Sequence, residues 1–90
     1  MYALLTAVRF HPENGGEDKA VQVLQDQLVP QIKQLPGFVK GTWFGNETVG
    51  HGLFLFETEE QAHQAVQPLD SDMFGTTVTS SDVYRVHAEG

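Results

Sequence analysis

The stretch Leu35-Pro36-Gly37-Phe38-Val39-Lys40-Gly41-Thr42-Trp43-Phe44-Gly45-Asn46 constrains this chain most, because it closes an amphipathic helix and opens a strand within a few residues. Pro36 cannot donate a helical hydrogen bond, and Gly37 accepts backbone conformations that cost other residues dearly. Phe38 to Gly45 then reads as a strand. Upstream, Ala20, Val21, Leu24, Leu28, Ile32 and Leu35 recur at three- and four-residue steps, while Gln, Lys and Asp fill the opposite face. The breaker cluster His11 to Gly16, followed by Glu17 and Asp18, places the helix start near Gly16. Pro30 falls inside the pattern, so the helix should kink there or restart with Pro30 in its first turn.

The rest of the chain falls into place around that anchor. Tyr2 to Phe10 reads as a strand with apolar side chains on both faces, Tyr2, Leu4, Val8 and Phe10 on one and Ala3, Leu5 and Ala7 on the other. Asn46 to Gly50 is a polar turn that sends the chain back along a third strand, Gly52 to Phe56. Thr58-Glu59-Glu60-Gln61 matches a capping box, opening a second helix with Ala62, Ala65, Val66 and Leu69 as its buried stripe. Pro68, Asp70, Ser71 and Asp72 should break that helix, a loosely ordered segment around Met73-Phe74-Gly75 should follow, and the last strand should lie within Thr77 to His87.

Strand, helix, strand, strand, helix, strand is the split βαβ order. It implies an α+β fold in which an antiparallel four-stranded sheet carries both helices on one face. On this reading strands one and three run parallel, which sets His11 and His51 at opposite ends of the sheet and argues against a metal site. The helix-free face also carries apolar residues, so a second copy of the chain is expected to cover it, through that face and the last strand.

A chain of 90 residues makes one domain, residues 1–90, and buries only a modest share of its surface alone. With no cysteine, disulfides, thiolate metal sites and cysteine nucleophiles are excluded. No apolar run approaches the roughly 20 residues of a membrane span, and no cationic leader precedes Met1 to Phe10, so a cytoplasmic protein without a membrane partner is the expectation. Twelve acidic against five basic residues give a formal charge of −7, which repels phosphate backbones; nucleic acid is not an expected partner. The carboxylates Glu57, Glu59 and Glu60 are explained by helix capping, and Gly15-Gly16 lacks the further glycines and lysine of a phosphate loop.

Two runs carry a family resemblance that covers nearly the whole chain. Leu35-Pro36-Gly37-Phe38-Val39 resembles the helix-ending "PGF" step, and Leu55-Phe56-Glu57-Thr58-Glu59-Glu60-Gln61-Ala62 the strand-to-helix "W-E-S/T-x-E-x-A" run, of the antibiotic-biosynthesis-monooxygenase-like group. That group belongs to the dimeric α/β-barrel, ferredoxin-like superfamily. The resemblance implies a βαββαβ sandwich, a homodimer, and an apolar cavity between sheet and helices. In some members that cavity oxygenates aromatic polyketides without metal or flavin; in others it degrades haem. The chain departs from the pattern where Phe56 stands for the usual Trp. The helix-two histidine position of many members falls on Ala65, with His63 two residues earlier and about 200° around the helix. Thr6 stands on the first strand where haem-degrading members carry Asn, which disfavours haem chemistry.

The candidate site residues follow from both readings. Trp43, flanked on its strand face by Gly41 and Gly45, leaves room for a planar ligand beside the indole, with Phe56 and Thr6 as further substrate contacts. His63 is the candidate general base and Tyr84 a hydrogen-bond donor to a phenolate or quinone oxygen. The commoner explanations are core packing for Trp43, a solvent-exposed or boundary position without catalytic work for His63, and a sheet-edge or dimer contact for Tyr84. Two functions are thus expected: a cofactor-independent monooxygenase acting on a small polyketide- or quinol-like aromatic, or a non-catalytic dimeric small-ligand-binding or stress-associated module of the same fold.

Overall fold

The computed structural model describes residues 1–69 and 76–90. Strand β1 is Tyr2–Arg9. A 3₁₀ turn at Pro12–Asn14 and two left-handed glycines, Gly15 (φ 97°) and Gly16 (φ 63°), turn the chain into helix α1, Gly16–Val23. A π-helical turn, Leu24–Leu28, leads into α2, Val29–Ile32, followed by β2, Phe38–Gly45, and β3, Val49–Phe56. Helix α3, Glu59–Leu69, and strand β4, Thr77–Arg85, complete the order. The segment around Met73-Phe74-Gly75 lies outside the described residues, as does the side chain of Leu69.

Pro30 explains the π turn. It has no N–H for the carbonyl of Asp26, and its ring would strike that carbonyl in a regular helix. The chain widens beforehand, so that the Val29 N–H donates to Leu24 rather than to Gln25, and α2 restarts with Pro30 in its first turn. The widening also breaks the continuous 3.6-residue face. Val23, off the expected stripe, is buried, whereas Val21, on it, is 40% exposed.

The sheet order is β2-β3-β1-β4. All neighbouring pairs are antiparallel, β1 with β3 included, which corrects the expected parallel arrangement. The physical reason is the crossover: the first helix returns the chain so that β2 runs with β1, and the β2–β3 hairpin then reverses it. Ala7 faces His51 and Arg9 faces Val49, so His11 and His51 belong to the same end of the sheet. The hairpin is tighter than expected. The Asn46 side-chain oxygen accepts from the N–H groups of Thr48 and Val49 and from the Thr48 hydroxyl, all at 2.9 Å, and β3 begins at Val49.

The two sequence signatures meet in space. Thr58 and Gln61 form the reciprocal capping box, the Gln61 N–H donating to Thr58 Oγ1 and the Thr58 N–H to Gln61 Oε1, both at 3.2 Å. Gly37 adopts φ 75°, and a Cβ on it would collide with that same Gln61 amide. The Gly37 carbonyl accepts from Glu57 N–H at 3.0 Å, tying the start of β2 to the end of β3.

Leu4, Ile32, Phe54, Phe56, Ala62 and Ala65 make the core, with Phe38 set edge-on to Phe56 at 6.0 Å. Helix α3 runs through Pro68 to Leu69, the last residue of its expected stripe. Among the described residues no helix is long and apolar enough to cross a membrane.

Candidate functional site

Strand alternation decides what faces the helices. On β3 the helix side carries Gly50, Gly52, Phe54 and Phe56; across the register Gly45 faces Gly50, Trp43 faces Gly52 and Gly41 faces Phe54. Glycines thus occupy much of the floor beneath α1 and the π turn, and a cavity of about 550 Å³ opens there between helix and sheet. Its volume suits a small organic ligand.

The glycines are covered by the protein's own rings. A Cβ on Gly41 would come within 2.8 Å of the Trp43 ring, one on Gly50 within 2.6 Å of the Phe10 ring, and one on Gly52 within 2.5 Å of the Phe54 ring. Trp43 stands edge-on to Phe54 at 5.3 Å. The floor is therefore paved with aromatic faces and edges. Opposite it, Ala20, Val21, Leu24, Leu28 and Val29 form an apolar ceiling.

Few polar groups interrupt this lining. Thr6, 7% exposed, sits on the floor and donates a long hydrogen bond, 3.5 Å, to the Gly52 carbonyl, which leaves its oxygen lone pairs free to accept. From the helical side Glu17 and Gln25 line the cavity. Neither side chain makes a hydrogen bond or ion pair with a described residue; Glu17 is half-buried and Gln25 exposed.

The structure brings together only part of the sequence-predicted set. Trp43 and Thr6 line the cavity, Trp43 also packing against the core. Phe56 is fully buried and does not reach the cavity; its ring belongs to the core cluster with Ala62 and Ala65 of α3 and meets Phe38 edge-on. His63 is exposed on the outer side of α3, 3.9 Å from the Glu59 carboxylate one turn earlier. Tyr84 projects from the helix-free side of the sheet and is 52% exposed. Both border a shallow polar groove with Tyr2, Glu59, Val83 and Arg85, away from the cavity; the Arg85 guanidinium lies 6.0 Å above the Tyr2 ring. The reason is geometric, since Ala62 and Ala65 occupy the inward face of α3 and leave His63 no path inward.

Sequence reasoning missed Phe10, Glu17, Gln25 and the Gly50/Gly52 pair. The signal was present. Glu17 and Gln25 fall on the Val21/Leu24/Leu28 spacing, and Gly50 and Gly52 alternate on one strand face, but each has a commoner explanation as a helix-start acid, a surface amide or turn glycines. His51, also on β3, stacks on Phe44 at 5.3 Å, and both residues also border the cavity. Among the described residues no three or more of His, Asp and Glu gather as metal ligands. No protein-family model matches the sequence, and no functionally curated protein is significantly similar to it.

Proposed function

We propose that this chain is a ligand-binding domain whose cavity takes a small planar aromatic molecule between the Trp43/Phe54/Phe10 floor and the α1 ceiling. The single observation carrying the reading is the cavity of about 550 Å³ floored by glycines and aromatic rings. A flat ligand placed there stacks on ring faces and edges, while Thr6 and Gln25 orient its polar atoms.

Cofactor-independent oxygenation is the catalytic form of the same proposal. It requires a base at the cavity to remove a proton from the bound aromatic, so that the resulting anion can pass an electron to O2. His63 stands outside, and Glu17 is the carboxylate on the wall, so Glu17 takes the role of base in this reading.

A homodimer accompanies both forms. On the helix-free face Leu5, Leu53 and Leu55 remain only half-buried, and Phe44 and Tyr84 are 53% and 52% exposed. A second sheet laid on that face would remove this apolar surface from water. Sedimentation of a stable monomer at micromolar concentration would remove the dimer from the proposal.

The binding test uses the only tryptophan as reporter. Adding a neutral two-ring aromatic such as 2-naphthylmethanol should move the single indole N–H resonance of Trp43 in a saturable manner. No movement at millimolar ligand would refute the site. Oxygen uptake with an anthrone- or hydroquinone-like substrate, slowed about 10²-fold by Glu17→Gln and unchanged by His63→Ala, would establish the catalytic form; binding without uptake leaves the binding module.

A further inference from the structure

Resting on the reading of the cavity as an aromatic-ligand site, we infer that it selects its ligand by charge, admitting aromatic amines and other cationic or hydrogen-donating rings and rejecting aromatic carboxylates. Glu17 is the only carboxylate on the wall among the described residues, where His51 is the other titratable side chain, and no described residue forms an ion pair with Glu17. None of Arg9, Lys19, Lys33, Lys40 and Arg85 lines the cavity.

Of the uncharged wall, Thr6 points the same way: its own proton is directed at the Gly52 carbonyl, so Thr6 Oγ1 presents lone pairs to a ligand, while the exposed Gln25 amide both donates and accepts and favours neither sign. The faces of Trp43, Phe54 and Phe10 carry the negative lobe of the aromatic quadrupole and attract a cation, Trp most strongly. Over the whole chain the formal charge is −7, so the long-range field also concentrates cations and repels anions.

One feature of the fold opposes this. The cavity-lining Glu17 lies in the first turn of α1, where the helix presents a positive end. That end is equivalent to roughly half a unit charge. A full unpaired carboxylate on the same turn outweighs it, and the sign at the wall stays negative.

The test compares three ligands of one shape, 2-naphthylmethylammonium, 2-naphthylmethanol and 2-naphthoate, by titrating the Trp43 indole resonance of the 90-residue chain at low salt. The cation should bind about tenfold or more tighter than the carboxylate, with the alcohol between them. Glu17→Gln should reduce that ratio to about threefold or less, and raising the salt should narrow the ratio in the unaltered chain. Glu47→Gln removes the same charge from the exposed β2–β3 turn, outside the cavity lining, and should change the ratio far less than Glu17→Gln does. Equal binding of cation and carboxylate, or tighter binding of the carboxylate, overturns the charge inference while the alcohol still attests the cavity. An equal loss of selectivity in Glu47→Gln overturns the assignment to Glu17. Failure of all three ligands to bind overturns the underlying reading together with the inference.

Discussion

The two halves of the helix-covered sheet face use small residues to opposite ends. Beneath α3 the small residues are on the helix: Ala62 and Ala65, at 0% and 3% exposure, let the backbone approach until Leu4 and Phe56 have no contact with water. Beneath α1 they are on the sheet, and Gly50 and Gly52 lower a floor that the helix does not follow. The helical segment is held through buried Val23 of α1 and Ile32 of α2, while Val21 on the cavity side is 40% exposed. Small residues close a gap when the element bearing them can move inward. They open one when the element opposite is anchored elsewhere.

The sharpest way to break this comparison is to empty the closed half. Phe56→Ala should cost about 3–5 kcal/mol, the range for truncating a fully buried aromatic, measured by denaturant unfolding. A cost under 1 kcal/mol would mean that this half is loosely packed as well, and the contrast would fail.

The link between the halves comes next. Gly37 joins the end of the first helical segment to β2 and lies against Gln61, the capping residue of α3. Gly37→Val should destabilise by about 1–3 kcal/mol, because a β-branched residue at positive φ is strained and its Cβ displaces the Gln61 amide. An unchanged melting temperature would show that the capping box forms without this contact.

A matched pair of substitutions gives the finest test. Ala65→Leu adds volume where none is available and should destabilise by about 1–3 kcal/mol. Ala20→Leu adds the same atoms on the cavity ceiling and should change stability by less than about 0.5 kcal/mol while weakening 2-naphthylmethanol binding at Trp43. Similar costs for both would mean that the space under α1 is filled in solution.

Much of the fold was legible because its signals are local. The Thr58/Gln61 capping box, the left-handed Gly37, the restart at Pro30 and the bounds of β2 each depend on a few neighbouring residues. The site was legible only in part. Trp43 and Thr6 could be placed on the helix-facing side by alternation, but His63 and Tyr84 were chosen for their chemistry, and neither lines the cavity.

By itself the sequence determined the element order, the turns, the caps and the faces of each strand, because hydrogen-bond donors, allowed φ and side-chain period are properties of adjacent residues. Tertiary structure alone decided that Phe56 belongs to the core and that Glu17, Gln25 and Phe10 share a cavity with Trp43. Those outcomes depend on how far one helix stands from the sheet. That distance is set by which side chains jam first across residues far apart in the chain, and no local pattern records it.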